Sequence, residues 1–145
     1  MKAGRMSGAV IVALLLISAW RVADLRESFS KPTTAVGLVF DPATVGDQAF
    51  VRDAYESVLQ EEGIPHRWIS TSDLLLINGR DLAKRYEALI FPDGLIQQMP
   101  SEIAARTRDY MHSGGNIAVV LDPGVKDTTG AYRSGGVLAE LVGIQ

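Results

Sequence analysis

The sequence predicts an α/β fold, in which a doubly wound, mainly parallel sheet follows an N-terminal hydrophobic helix. Short apolar runs of strand length alternate with segments of helical periodicity, an alternation typical of parallel sheets with helices packed on them. Three of the apolar runs end in Asp beside Pro or Gly, which are turn-forming pairs. A hydrophobic fraction of 47% and a charged fraction of 21% suit a packed core, and 145 residues suffice for one such domain.

The N-terminus has the layout of a signal sequence. Lys2 and Arg5 precede a nearly uncharged apolar run of about 15 residues, from Met6 to Trp20. Because no A-x-A cleavage pattern follows, we expect residues 1–23 to be an uncleaved signal anchor; a cleaved signal peptide and a buried core helix are the alternatives. Basic residues favour the cytoplasmic side, so the rest of the chain is expected outside the cytoplasm, tethered to the membrane or, after cleavage, secreted. Residues 24–34 form a polar linker in this interpretation.

Charge and cysteine content exclude several functions. The formal net charge is −3, and the chain from Lys31 onward carries 10 basic and 15 acidic residues, so we expect no nucleic-acid partner. The chain has no cysteine, which excludes disulfides, cysteine-ligated metal centres and a cysteine nucleophile. Neither of the glycine-rich motifs that cradle nucleotide phosphates occurs.

The α/β domain, placed at residues 35–145, begins with a strand and a helix. Ala35–Phe40 is a continuous apolar run, typical of a parallel strand buried on both faces. Gly46 and Asp47 are predicted to open a helix, with Asp47 as its N-cap, and Gly63 to end it. The helix has one apolar stripe that is expected to face the sheet, formed by Phe50, Ala54 and Val58 with Val51, Tyr55 and Leu59 alongside.

The remaining elements continue the alternation of strands and helices. Further strands are predicted at His66–Ser70, Ala88–Phe91 and Ile117–Leu121. Leu74–Ile77 is a short apolar stretch, and a half-helix is predicted at Asp81–Tyr86. A later helix is predicted to begin with Pro100 at its first position. Its buried stripe is expected to consist of Ile103, Ala104, Thr107, Tyr110 and Met111. A last, short helix is predicted at Val137–Val142.

Acidic residues follow three of the predicted strands. Asp41, Asp93 and Asp122 come directly after or near the ends of strands one, three and four. If these strands are neighbours, their carboxyl ends place the three carboxylates at one edge, where open parallel sheets bind ligands. Carboxylates bind hard cations and sugar hydroxyls, but Asp-Pro and Asp-Gly are also ordinary turn pairs. Both interpretations, a ligand-binding edge and simple turns, remain open from the sequence.

Other polar and aromatic residues give weaker signals. His66 and His112 stand alone in their segments, without a second histidine at metal-ligand spacing. Trp68 lies in a predicted strand, where a tryptophan is more often core than a platform for sugar stacking. The sequence therefore predicts no catalytic residue, no metal site and no cofactor.

Two stretches of the second half resemble a known family. Y-E-A-L-I-F-P-D-G (Tyr86–Gly94) and Y-M-H-S-G-G-N-I-A-V-V-L (Tyr110–Leu121) are similar to class I glutamine amidotransferase-like domains. The likeness is greatest to the degenerate, non-catalytic branch, such as trimerisation modules of some β-galactosidases and related domains of polysaccharide-processing proteins. The resemblance implies a flavodoxin-like fold over residues 35–145, in a domain expected to be incomplete at its C-terminus.

In active members of this family, the strand after the Gly-Gly pair leads into a sharp elbow that carries a nucleophilic cysteine. The matching stretch here is Val120–Gly124, so the resemblance places Asp122 where the nucleophile would be. A carboxylate does not replace a thiolate in amide attack, because it leaves again from the acyl adduct. The resemblance thus implies a scaffold that does not hydrolyse glutamine.

The predicted function is a membrane-tethered, extracytoplasmic binding or assembly module without catalytic activity, linked to carbohydrate or exopolysaccharide handling. Its expected partner is a protein or a polar ligand such as a glycan. The alternative is the N-terminal part of a carbohydrate-active hydrolase, for example a polysaccharide deacetylase, whose catalytic domain is not in this chain. A substrate-binding protein is a third interpretation, which normally needs a second lobe that this length does not supply.

Overall fold

A computed structural model describes residues 34–44 and 48–143. From Thr34 onward the chain forms one compact unit. The predicted signal anchor at 1–23, the linker residues 24–33 and the predicted N-cap Asp47 lie outside the described residues. Within the described ranges, no helix is both long enough and apolar enough to cross a bilayer.

The described residues form a four-stranded sheet with the strand order β2-β1-β3-β4, in which every neighbouring pair is parallel. This confirms an α/β fold with a parallel sheet. The strands are β1 Ala35–Phe40, β2 His66–Ser70, β3 Tyr86–Phe91 and β4 Asn116–Val119. β4 ends before its predicted limit because Leu121 adopts a left-handed φ of 59°, which extended backbone cannot accommodate.

Helices fill the connections between the strands. In the described ranges they are α1 Ala49–Glu61, α2 Thr71–Leu76, α3 Gly79–Arg85, α4 Ser101–His112 and α5 Ala139–Val142. α1 ends as predicted, with Gly63 just beyond it at a φ of 67°. α2 and α3 begin at side-chain caps: Ser70 accepts a hydrogen bond from the Asp73 amide at 3.0 Å, and Asn78 accepts one from the Asp81 amide at 2.9 Å.

One face of the sheet, here called the closed face, carries Val39, Leu89 and Phe91. Because side chains alternate along a strand, these residues point the same way, and all three are fully buried. They form a single core with apolar residues of the helices. The predicted stripe of α4 is confirmed, since Ile103, Ala104, Thr107 and Tyr110 are buried and Met111 packs partly buried beside them.

The opposite face, here called the open face, carries Leu38, Trp68 and Ile90. α1 contacts it over β1 and β2, where the Arg52 guanidinium carbon lies 5.6 Å from the ring centroid of Phe40 and 5.1 Å from that of Trp68. The open face of β4 is less covered: its residues Asn116 and Ala118 are exposed.

The prediction that Phe50, Ala54 and Val58 face the sheet is wrong. Phe50 is 68% exposed and Val58 is 58% exposed, whereas Leu59 is the buried residue of α1. The apolar arc of α1 is wider than the surface it covers, so the adjacent stripe of Val51, Tyr55 and Leu59 takes the sheet-facing position.

Candidate functional site

The structure places the three predicted aspartates after neighbouring strands. β3 lies between β1 and β4, so Asp41, Asp93 and Asp122 all follow carboxyl ends at one edge of the sheet. This condition was left open by the sequence. The side chains of the three residues nevertheless have different surroundings.

Asp122 ties the segment after β4 to the segment after β3. Its Oδ1 accepts a hydrogen bond from the backbone amide of Gly94 at 2.8 Å, and its Oδ2 accepts one from the side-chain amide of Gln97. The Oε1 of Gln97 in turn accepts a hydrogen bond from Nζ of Lys126 at 2.8 Å. Both carboxylate oxygens of Asp122 are therefore engaged in holding loops together.

Asp41 organises the turn after β1. Its Oδ1 accepts a hydrogen bond from the backbone amide of Ala43 at 3.0 Å. This contact is the one expected if Asp41-Pro42 serves as a turn. Its own amide donates to the carbonyl of Leu95 at 2.9 Å, and the Thr44 hydroxyl donates to the same carbonyl at 2.7 Å. The loop after β1 is thus fastened to the loop after β3.

Asp93 is the half-buried residue whose carboxylate accepts no hydrogen bond from the described residues. It lies close enough to Tyr55 of α1 to act on it: burial, and then the charge of Asp93, raise the pKa of the Tyr55 hydroxyl above its ordinary value. The side chain of Gln48 lies close to Gly94, the residue that follows Asp93. A Cβ atom added to Gly94 would be 3.3 Å from the Gln48 Oε1. Within residues 34–44 and 48–143, the side chains of Asp93, Tyr55 and Gln48 are the part of this edge that is not tied into loop hydrogen bonds.

The described part of this edge shows no cluster of metal-ligating side chains. Among residues 34–44 and 48–143, no group of three or more histidine, cysteine or acidic side chains is arranged to hold a metal ion, and all three aspartates belong to these ranges. Sugar binding at this edge stays a prediction.

The turn after β4 has one left-handed residue other than glycine, and it is Leu121. Its φ is 59° and its side chain is 85% exposed. A non-glycine residue in this conformation carries backbone strain, which is the feature expected of an elbow. The strain falls on Leu121, one residue before the Asp122 that the resemblance placed at the nucleophile's position.

The remaining candidates have structural contacts. The His66 ring nitrogen Nδ1 is 2.9 Å from the carbonyl oxygen of Ile64, and His112 is exposed at the end of α4. Trp68 packs edge-to-face on Phe40, with 6.0 Å between ring centroids, and donates its indole N–H to Glu56 at 2.8 Å. Since the Arg52 guanidinium also covers its ring, Trp68 is not available as a stacking platform.

Sequence reasoning missed a small network beyond Asp122. Lys126, besides contacting Gln97, has its Nζ 5.1 Å from the ring centroid of Tyr132, which is 77% exposed. The Lys126 backbone also bridges to Gln98 and Tyr132. No motif marks these residues in the sequence; the only signal is an aromatic residue within a polar loop.

The fold is similar to part of a solved structure, the crystal structure of a β-galactosidase from Bifidobacterium adolescentis. The TM-score is 0.57 at 16% sequence identity, and the match covers 77% of this chain and 54% of that one. The chain thus spans about half the length of the structure that it matches. At this identity the likeness establishes a shared fold. Neither a protein-family model nor a curated protein matches the chain.

Proposed function

We propose that this chain is a membrane-tethered, extracytoplasmic assembly module without catalytic activity, in a system that handles carbohydrate or exopolysaccharide. In this proposal the domain is a doubly wound, amidotransferase-like α/β domain. The strand order β2-β1-β3-β4 agrees with the 2-1-3-4 order of flavodoxin-like sheets and supports that assignment.

The observation that carries the proposal is the engagement of Asp122. At the edge where wound sheets hold their substrates, both of its oxygens accept hydrogen bonds, from Gly94 and Gln97. Thr44 fastens a second loop of the same edge to the Leu95 carbonyl. Side chains that stabilise loops in this way are not free to act on a substrate, and this supports a scaffold role.

Two further observations support the setting. The basic residues Lys2 and Arg5 before the apolar run favour a membrane anchor with the domain outside the cytoplasm. The carbohydrate context rests on the likeness of fold to a protein described as a β-galactosidase.

A second candidate is a domain of a carbohydrate-active hydrolase whose catalytic part lies in another segment. It is favoured by one observation, namely that the chain matches about half of a β-galactosidase chain. In this case the domain would still be a scaffold, but one that belongs to an enzyme subunit.

The test uses the full chain with a C-terminal tag, expressed in a bacterial host. We expect the chain in the membrane fraction. Protease added outside the cytoplasmic membrane is expected to cleave the tag. Chemical crosslinking of intact cells is expected to give a tagged species of higher mass. Hydrolysis of chromogenic galactosides by the purified chain would contradict the proposal.

Calorimetry with lactose separates assembly from glycan binding. The assembly proposal predicts no saturable heat. Saturable heat that disappears in Asp93→Asn, but remains in the matched surface variant Asp109→Asn, would replace assembly with glycan binding at the sheet edge.

A further inference from the structure

β4 is the outermost strand at one side of the described sheet. β3 pairs with it on its inner edge, and no strand of residues 34–44 or 48–143 pairs with its outer edge. The backbone amide of Val120, directly after β4, donates to the carbonyl of Phe91 in β3 at 3.0 Å. Because the direction of backbone groups alternates along a strand, the N–H and C=O groups of Ile117 and Val119 point to the outer edge.

The burial of side chains falls at this edge. Ile117 and Val119 lie in register with Leu89 and Phe91 of β3 and share the closed face with them. Leu89 and Phe91 are fully buried, whereas Ile117 and Val119 pack against the same core and are only half-buried. A further strand beside β4 would cover these two β-branched side chains as well as the outward-pointing backbone groups.

The two outer strands of the sheet differ in their protection against such pairing. β2 lies at the opposite side of the sheet and contains the ionisable residues His66 and Arg67, with Pro65 directly before them. Charged side chains and proline at an edge strand oppose pairing with another chain. The segment Asn116–Val120 contains no ionisable side chain, no proline and no glycine. The edge at β4 is therefore the one suited to association.

We infer that two copies of this chain associate through β4, by antiparallel pairing of their outer edges about a twofold axis. This inference rests on the proposed assembly function and identifies the surface and the partner. Ile117 of each copy forms a hydrogen-bonded pair with Val119 of the other, and Ala118 lies at the axis opposite Ala118 of the second copy. The two sheets become one continuous sheet.

The side chains of β4 favour a second copy as the occupant. In this register, β-branched side chains lie opposite β-branched side chains on the closed face. At the axis, a non-hydrogen-bonded pair brings the two Cα atoms to about 4.5 Å, which the small side chain of Ala118 accommodates. Like charges do not meet along Asn116–Val120, and a strongly acidic or basic strand would find no opposite charge there.

A single introduced cysteine tests the pairing, because the chain has no cysteine of its own. Ala118→Cys places two thiols at the axis, where the Cβ atoms of paired residues lie about 4.5–5.5 Å apart, close to the separation that a disulfide needs. Intact cells that produce the tagged, full-length variant are oxidised with copper phenanthroline, and the tag is followed on a non-reducing gel. We expect a disulfide-linked dimer that added reductant returns to monomer.

The matched control is Asn116→Cys, which alters an exposed residue on the same face of the same strand. In the proposed register Asn116 lies opposite Val120, so the two thiols would be about 13 Å apart along the strand, too far for a disulfide. We expect at least about tenfold less dimer from Asn116→Cys than from Ala118→Cys.

Substitutions of Val119 in the Ala118→Cys chain test the hydrogen bonds of the outer edge. Val119→Pro removes an outward-pointing N–H and no hydrogen bond to β3, and it is expected to lower the yield of dimer about tenfold. Val119→Thr keeps both the N–H and the branched shape at Cβ, and it is expected to leave the yield of dimer unchanged.

Three results would overturn the inference. They are the absence of dimer from Ala118→Cys, as expected if another protein occupies the edge, equal yields from the two cysteine variants, and equal yields with proline and threonine at position 119. If the cysteine test fails while the unaltered chain is still crosslinked and inactive on galactosides, the edge is rejected and the assembly function stands. A dimer in this register together with galactoside hydrolysis rejects the assembly function and keeps the edge.

Discussion

α1 and α4 lie on opposite faces of the same sheet and are buried to very different extents. α4 has one apolar stripe, fully enclosed, and an outer face of exposed polar residues such as Glu102 and Arg108. α1 has apolar residues around about half of its circumference and encloses only Leu59 among them. A stripe of Phe50, Ala54 and Val58 is left in solvent.

The difference lies in what surrounds each helix. α4 packs beside α2 and α3, and the three together close their face over a continuous core. α1 has no such neighbour among the described helices. Besides the buried Leu59, its contacts with the sheet are the Arg52 guanidinium over the rings of Phe40 and Trp68 and the hydrogen bond from Trp68 to Glu56. The closed face therefore provides most of the buried core, and the open face is left partly in solvent.

The largest expected effect is on the free energy of unfolding, and it distinguishes a phenylalanine of the closed face from one on α1. Phe91 on the closed face is fully buried, and Phe91→Ala is expected to lower the free energy of unfolding by about 3–5 kcal/mol through lost transfer energy and the cavity left behind. Phe50 on α1 is 68% exposed, and Phe50→Ala is expected to change it by less than about 0.5 kcal/mol.

Urea denaturation of both variants measures this contrast. Comparable losses of stability in the two variants would mean that Phe50 is buried in the folded protein, and the open face would then not be open.

The second prediction compares two tyrosines at alkaline pH. Burial, and then the charge of Glu87, raise the pKa of the fully buried Tyr110 to about 12. Above pH 10 the Tyr110 hydroxyl ionises in the unfolded chain before it ionises in the folded protein. The free energy of unfolding is therefore constant below pH 10 with respect to this group, and it falls by roughly 2–3 kcal/mol as the pH rises towards 12.

Thermal unfolding between pH 9 and 12 tests this expectation. Tyr110→Phe is expected to flatten the alkaline loss of stability. Tyr55→Phe, at the half-buried tyrosine of α1 whose pKa is raised in the same direction, is expected to flatten it less. An equal effect of both variants would place the two tyrosines in similar environments and contradict the contrast between the faces.

The elements were predictable where local pattern and burial agree. The strand Ala35–Phe40 and the stripe from Ile103 to Tyr110 were identified because their apolar spacing matches a face that is buried. The apolar stripe predicted for α1 is correct for Val51, Tyr55 and Leu59 and wrong for the exposed residues Phe50, Ala54 and Val58. Hydropathy spacing reports an apolar arc and not which part of that arc has a neighbour. Leu121 was placed in a strand because nothing in a run of aliphatic residues encodes a left-handed φ.

The candidate site was predictable only in its outline. The sequence predicts that Asp41, Asp93 and Asp122 share an edge only if their strands are neighbours, and the strand order β2-β1-β3-β4 supplies that condition. What each carboxylate contacts depends on residues distant in sequence, such as Gln97 for Asp122 and Leu95 for the Asp41 amide. A single sequence contains no pattern for such pairings, so the turn and ligand interpretations were not separable before the structure.

The third prediction concerns how tightly α4 is packed. A Cβ on Gly79, at the start of α3, would lie 2.5 Å from the carbonyl carbon of Asp109 in α4, and backbone cannot yield as a flexible side chain does. Gly79→Ala is expected to lower the free energy of unfolding by about 1–3 kcal/mol. Gly135→Ala, where a Cβ meets nothing within 4 Å, is the matched control and is expected to leave stability unchanged in the same denaturation measurement. A neutral Gly79→Ala would mean that α3 and α4 are not in close contact.

The smallest expected effect concerns the attachment of α1. Arg52→Ala removes the cation over Phe40 and Trp68, and contacts of this kind at partly exposed sites contribute about 0.5–1 kcal/mol. Because these contacts hold α1 and not the core, we expect faster hydrogen exchange in Ala49–Glu61 and unchanged exchange in Ser101–His112. The matched control is Arg108→Ala on α4, whose guanidinium is 4.0 Å from the exposed carboxylate of Glu140 and is expected to alter neither helix. If Arg52→Ala accelerated exchange in both helices, the two faces would unfold as one unit, and α1 would belong to the same cooperative core as α4.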